Sequence, residues 1–229
     1  RQFVHQGGTL FSCTECNGRG FDAGIREVYA RAFPAYEMRP ADADGGLYRA
    51  YRPVPARDVR FEVVSNGIRP LAIHTEADLP RAWQTRPFGG GSGDDPAFAA
   101  ALNVALHVTN GQQLRHRGVA IWPEAPSALP RDTVSVARLR HAGNWNPEPL
   151  ACERFGRLLA RRADVGLDAG DPLGAEQLAE RPPALLLLTG TGALELSAAQ
   201  RKALAAYVRG GGGMLLVDAA GGDKTFADT

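Results

Sequence analysis

Apolar positions along this chain follow two periods, and the clearest run is Leu185-Leu-Leu-Leu188, bounded by Pro183 and Gly190. So short and continuous a run predicts a strand covered on both faces, as inside a parallel sheet. Ser197 and Gln200 then form a capping-box pattern. Leu204, Tyr207 and Val208 give the next segment one apolar side at spacings of three and four, which predicts a helix. Glycines at 210–213 stop it, and residues 214–217 restart as a strand. Strand, helix and strand in this order make a right-handed crossover unit.

The remaining elements follow in chain order. Residues 1–6 read as the last turn of a helix and residues 9–13 as a strand, with a loop over 14–20. Phe21, Ile25, Val28, Tyr29 and Phe33 share one side at helical spacing, and Pro34 ends that helix. Residues 35–58 lack any period and are expected to form a surface excursion. Residues 60–64 and 68–74 alternate as two strands around an Asn66-Gly67 turn, which predicts a hairpin. A short helical turn over 78–83 and a glycine loop over 89–93 come next. Asp95 and Pro96 then open an almost wholly apolar helix over 97–108, which calls for burial and ends at Asn110-Gly111. Residues 133–139 alternate as a strand, and residues 142–147 form a turn at its end. Residues 149–163 make an amphipathic helix using Leu150, Phe155, Leu158 and Leu159, and residues 175–179 add a helical turn. Strands alternating with helices predict an α/β fold with a doubly wound, mostly parallel sheet.

The two ends of the chain match each other. Phe3-Val4 with Gly7-Gly8 and Leu10-Phe11 overlie Tyr207-Val208 with Gly211-Gly212 and Met214-Leu215 at an offset of 204 positions, and Phe21-Asp22 falls near Phe226 and Asp228. An offset of one domain length points to tandem copies cut out of phase. The expected organisation is the back part of a first copy over 1–116, a proline-bearing linker over 117–132, and the front part of a second copy over 133–229.

Charge narrows the partners. Twenty-six basic residues against 25 acidic ones leave a net charge of +1, which argues against a nucleic-acid footprint. The basic clusters at 115–117 and 157–162 read as solvated helix ends or faces. No run of eighteen apolar residues occurs, so no membrane contact is expected from this segment. Nothing at Arg1 reads as a signal peptide, which leaves the address of the parent protein open.

In a doubly wound sheet a ligand binds beyond the carboxyl ends of the strands. In the second copy that rim carries Asn144, Trp145, Asn146, Thr189, Gly190, Thr191, Gly192 and Asp218, which form the candidate ligand crevice. It lacks the Lys-Ser or Lys-Thr step and the glycine spacing of nucleotide sites, so no cofactor is expected. Cys13 and Cys16 form one Cys-x-x-Cys pair, with Cys152 remote. A structural zinc site needs a second pair or two histidines, so no metal is expected.

Val136 to Arg140, Asn144-Trp145-Asn146, residues 185–192, Leu196-Ser197 and Tyr207-Val208 together resemble the bacterial family of unknown function DUF4159. Phe3-Val4, Gly7-Gly8, Phe21-Asp22, Phe33-Pro34, Asp78-Leu79 with Trp83, and residues 101–104 resemble the back half of the same family. Two segments depart from its pattern. Asp44-Gly-Gly-Leu-Tyr48 stands where an acidic residue and a His-Pro step are usual, and Thr14-Glu15-Cys16 stands where acidic residues are usual.

The resemblance implies a flavodoxin-like, class I glutamine amidotransferase-like fold with no assigned reaction. Amidotransferases place a Cys nucleophile after a strand, and a His activates it with a Glu two residues on. Cys13 with His74 and Glu76 has that order, although Ser12-Cys13-Thr14 lacks the glycines of a nucleophile elbow. The expected function is a non-catalytic module for an unknown small molecule or protein partner, serving as a sensing or scaffold part of a larger envelope-associated or periplasmic protein. The alternative is a hydrolase or amidotransferase using Cys13 or strand-end carboxylates such as Asp218.

Overall fold

The computed structural model describes residues 1–16, 18–86, 95–109, 122–210 and 213–229. The glycine loop expected over 89–93, the Asn110-Gly111 helix end, the basic cluster at 115–117 and the Gly211-Gly212 pair lie outside the described residues. The chain divides into two compact units, Arg1–Ala120 and Ile121–Thr229.

Unit 1 contains α1 (Gln2–His5), β1 (Leu10–Cys13), α2 (Arg19–Ala32), β2 (Met38–Pro40), α3 (Gly46–Arg49), β3 (Phe61–Ser65), β4 (Pro70–Thr75), α4 (Leu79–Thr85) and α5 (Pro96–Val108). Its sheet runs β1-β4-β3-β2. β1 pairs parallel with β4, while β3 is antiparallel to both β4 and β2. The hairpin forms as its turn chemistry dictates. The Asn66 side chain accepts from the Ile68 and Arg69 amides, and Gly67 takes a φ of +89°. Asp95 caps α5 by accepting from the Ala97 amide, with Pro96 at the first helical position.

One face of this sheet packs Phe61 and Ile73 against Leu47, Tyr48, Leu79, Ala100 and Val104. The expectation of a mere surface excursion over 35–58 is therefore corrected. Tyr48 is buried and its hydroxyl accepts from the Phe61 amide at 2.8 Å. From α5, Asn103 accepts from the Tyr51 and Arg52 amides and donates to the Arg52 carbonyl. The excursion thus borrows its order from a distant helix, which no local periodicity reveals. The opposite face packs Tyr29, Phe33, Val4, Val64, Leu71 and Ala72. Phe21 and Val28 were expected on the buried side of α2 but stand exposed.

Unit 2 contains β5 (Asp132–Arg138), α6 (Ala151–Ala163), β6 (Val165–Ala169), β7 (Leu185–Gly190), α7 (Ala198–Arg209), β8 (Met214–Ala219) and α8 (Lys224–Ala227), with a 3-10 turn at Ala175–Gln177. Its sheet runs β6-β5-β7-β8, and every pairing is parallel. This is an α/β arrangement compatible with a flavodoxin-like fold. Strand β6 has no counterpart in the sequence reading. It follows α6 directly through Asp164, which adopts a left-handed φ of 56° in place of a signalling glycine.

The capping box at Ser197 forms in full, with its hydroxyl accepting from the Gln200 amide and the Gln200 side chain returning to the Ser197 amide. Leu204 and Tyr207 of α7 pack with Leu186 and Leu188. The Tyr207 hydroxyl lies 2.9 Å from the Pro183 carbonyl and 3.2 Å from that of Met214, so it ties the entrances of β7 and β8 together. Burial along β7 alternates, which corrects the expectation of a strand covered on both faces. Leu186, Leu188 and Gly190 are buried, whereas Leu185, Leu187 and Thr189 are half-buried. The less covered face continues onto β8, where Met214 and Leu216 are exposed, and Val217, beside Leu188 on the other face, is exposed as well.

Candidate functional site

In unit 1 a chain of polar side chains runs beneath α2. Asp22, Arg26 and Tyr29 fall at four- and seven-residue spacing, which puts them on one helix face toward the sheet. The Tyr29 hydroxyl donates to Ser12 Oγ at 3.0 Å, and Ser12 Oγ lies 2.8 Å from His74 Nδ1. His74 Nε2 lies 2.8 Å from Asp22 Oδ1. A carboxylate only accepts, so Nε2 carries the hydrogen, and in the neutral ring Nδ1 accepts from the Ser12 hydroxyl. Arg26 holds Asp22 through Nε at 3.1 Å and reaches Glu62 at 2.5 Å and Glu76 at 2.9 Å. The hydrogen bond from Arg26, followed by that from His74, keeps the Asp22 carboxyl below the usual carboxylate range. Burial opposes this shift without overturning it.

The order Ser12, His74, Asp22 matches the hydrogen-bond logic of a serine hydrolase triad. Its setting differs. Ser12 sits in the body of β1, not on a turn, and its oxygen already accepts from Tyr29. His74 is fully buried.

The candidate trio Cys13, His74 and Glu76 is not brought together. Both ring nitrogens of His74 are engaged by Ser12 and Asp22, and Glu76 pairs with Arg26. Cys13 packs instead with the cluster around Phe61 and Ile73. Burial, reinforced by Glu15 and Asp78, pushes its thiol up to about 11. At neutral pH it stays protonated and weakly nucleophilic. Sequence reasoning found His74 but missed Ser12, Asp22, Arg26 and Tyr29. The spacing of the three helix residues was the one signal on offer.

In unit 2 four of the rim residues hydrogen-bond in two pairs at the carboxyl ends of β7 and β8. Asn144 Nδ2 donates to Thr191 Oγ1 at 2.7 Å, and the Thr189 hydroxyl donates to Asp218 at 3.2 Å. Arg138 donates to Asn146 Oδ1 at 2.7 Å and lies 5.9 Å from the centre of the Trp145 ring. His141, which the sequence reading did not single out, locks the turn. It donates from Nε2 to the Thr189 carbonyl and accepts the Gly143 amide at Nδ1. Gly190 is required by this crowding, because a Cβ there would lie 2.8 Å from the Asn144 carbonyl oxygen. Gly192 turns through a φ of +78°.

A cleft of about 730 Å³ flanks α4 in unit 1, lined among others by Arg57, Arg81, Arg86, Asp58, Asp78 and Asp95. Its charges are balanced, with Arg86 paired to Asp95 and Asp78 accepting the Cys16 and Arg81 amides. Among the described residues no group of three or more His, Cys, Asp or Glu side chains is disposed to hold a metal ion. Cys13, Cys16 and Cys152 are free thiols. No described helix is long and apolar enough to cross a membrane.

Element bounds near the two ends of the chain recur at nearly constant spacing. Helix α1 ends at His5 and α7 at Arg209, β1 starts at Leu10 and β8 at Met214, and α2 starts at Arg19 and α8 at Lys224. The first two pairs are 204 positions apart and the third 205. Exposure is reciprocal at three apolar pairs with this spacing. Phe3 is 60% exposed and Tyr207 7%, Val4 is 1% exposed and Val208 47%, and Phe21 is 49% exposed and Phe226 3%. Both β1 and β8 are edge strands with one parallel neighbour each.

Residues 135–229 match the family model described as Domain of unknown function (DUF4159). The DUF4159 segment thus covers most of unit 2, from within β5 to the last described residue. No curated protein and no solved structure matches the chain.

Proposed function

We propose that this chain is a non-catalytic interaction module made of two complementary half-sheets of an amidotransferase-like, flavodoxin-like domain, repeated in tandem and divided out of phase. The observation that carries this reading is the reciprocal exposure of Phe3 and Tyr207, Val4 and Val208, and Phe21 and Phe226. At each pair, the side chain left open in one unit is the one packed away in the other. Unit 1 supplies the neighbours on one side of a central strand, and unit 2 supplies those on the other. Exposed apolar side chains beside an open strand edge are the chemistry of a protein partner. The rim around Asn144, Thr191 and Asp218 spends part of its polar chemistry on internal bonds, between Asn144 and Thr191 and between Thr189 and Asp218, which leaves less of it for a small molecule.

Two measurements test this. An apolar fluorescent dye is expected to bind the native chain and to lose signal in Met214→Asp and Leu216→Asp. The reading falls if the dye ignores the protein. Glutamine and ester substrates are expected to give no product above that of Cys13→Ala.

A second reading, a hydrolase, draws on the Ser12–His74–Asp22 order. It predicts labelling of Ser12 by a fluorophosphonate probe, and such labelling, absent in His74→Ala, would replace the non-catalytic reading.

A further inference from the structure

We infer that the cleft flanking α4 in unit 1 binds a small hydroxylated acid, with its phosphate or carboxylate head on Arg57 and Arg81 and a hydroxyl on Asp58. The inference stands apart from the interaction role proposed above, because every described residue that lines the cleft belongs to unit 1. The cleft lies where the topology of unit 1 directs a ligand. The chain leaves β4 at its carboxyl end and passes through Ala77 and Asp78 into α4, and both residues line the cleft. β1 runs parallel to β4, and the Cys16 amide just beyond it reaches Asp78 at 3.0 Å. Because β3 is antiparallel to β4, Arg57, Asp58 and Val59, which lead into β3, come to the same end of the sheet. Ligands of open α/β sheets bind beyond the carboxyl ends of the strands. A volume of about 730 Å³ suits a small molecule, and the buried side chains Val59, Leu79, Ala82 and Ala97 give it a floor made of the core itself.

The class of ligand follows from which polar groups are already spent. Three arginines and three aspartates line the cleft, so its overall charge is balanced and selection falls to the groups left over. Asp95 is spent on Arg86 at 2.8 Å and on the Ala97 amide at 2.9 Å. Asp78 is spent on the Cys16 and Arg81 amides. The Arg81 guanidinium makes no hydrogen bond or ion pair among the described residues. Arg57 meets only Asp58, at 3.9 Å, which is beyond hydrogen-bond length. Two guanidiniums, which only donate, and one carboxylate, which only accepts, therefore remain. The guanidinium fork matches the paired oxygens of a phosphate or carboxylate. Asp58 calls for a donor, and the nearby Arg57 charge favours a hydroxyl there over an ammonium group. An acid with a hydroxyl satisfies all three groups, whereas a free sugar leaves both guanidiniums unanswered.

The experiment is calorimetric titration of the whole chain with glucose 6-phosphate and with gluconate, beside glucose and inorganic phosphate. At least one of the two acids is expected to bind saturably, and the tighter one identifies the head. Glucose is expected to show no saturation over the same range, and inorganic phosphate to bind more weakly than the tighter acid. Arg57 and Arg81 are exposed and carry no tertiary bond from their side chains among the described residues, so Arg57→Ala and Arg81→Ala keep the fold, as circular dichroism checks. Each is expected to weaken binding by about tenfold or more, the scale of one charge-assisted hydrogen bond. Asp58→Ala is expected to weaken it by about threefold, the scale of a weaker one. Arg31→Ala, exposed on α2 outside the cleft, is expected to change nothing. Failure of both acids to saturate, glucose or inorganic phosphate binding as tightly as the acids, arginine variants as tight as the native chain, or an equal loss in Arg31→Ala would each overturn the inference.

Discussion

Unit 1 and unit 2 use the faces of their sheets differently. Unit 1 buries polar groups under its covers: His74, Thr75, Asn66 and Asn103 are almost fully enclosed and each is bonded. The core of unit 2 is aliphatic and aromatic, with His141 its one buried polar side chain among the described residues. A wholly parallel sheet needs cover on both faces, yet among the described residues β7 has it on one, and β8 leaves Met214, Leu216 and Val217 exposed. The comparison teaches that a strand's sequence sets which side chains alternate, while the neighbours present decide which of them are enclosed. Leu10 and Met214 each begin an edge strand and meet opposite surroundings.

The sharpest way to break this comparison is within β7. Leu186→Ala is expected to cost about 2–5 kcal/mol in urea unfolding, as buried leucine truncations do. Leu187→Ala, on the half-open face, is expected to cost less than half as much. Equal costs would mean that both faces are enclosed in solution. The next test concerns the enclosed polar chain of unit 1. His74→Ala strands the Ser12 hydroxyl and one acceptor site of Asp22, which is expected to cost about 1–3 kcal/mol. Hydrogen exchange should place that loss in β1, β4 and α2. A loss spread evenly over unit 2 would contradict the division into separate cores.

Smaller effects sharpen the picture further. Ser197→Ala removes the cap of α7 and is expected to cost about 1 kcal/mol, with faster exchange at the Gln200 amide as its signature. Acid titration should separate the units most gently. Asp22 has its carboxyl depressed on folding, so its contribution is present above about pH 4, where the unfolded carboxylate titrates, and is lost as pH falls through the folded value. Stability measured below about pH 4 should therefore fall less steeply in Asp22→Asn than in the native chain.

Much of the fold was legible because its signals are local. The Asn66-Gly67 turn, the Asp95-Pro96 helix start and the Ser197–Gln200 box each bind their own neighbours within three residues. What stayed hidden depends on distance. Ser12 meets His74 across 62 positions, and His74 meets Asp22 across 52. The order around Tyr51 and Arg52 comes from Asn103. Strand β6 hid because it follows α6 without a glycine or proline to mark the change. The four leucines misled for a related reason. A continuous apolar run is the same whether one neighbour sheet face or two receive it, so only the structure separates Leu186 from Leu187. Of the candidate site, the contacts Asn144–Thr191 and Thr189–Asp218 join residues that topology places on one rim, whereas His141 was not readable, because its role lies in backbone bonds.

The phenol of Tyr207 explains one spelling in the chain that backbone angles do not. A side chain on residue 213 would collide with that hydroxyl and with the ring behind it, so the glycine preceding β8 is dictated by a neighbour six positions upstream. Tyr207→Phe should leave the restriction in place, because the ring carbons Cζ and Cε2 would still crowd a Cβ at position 213, the latter at 2.6 Å, and only a truncation of the ring should make alanine tolerable there. Spelling at one site is thus licensed by a ring at another, and the two are free to drift only as a pair.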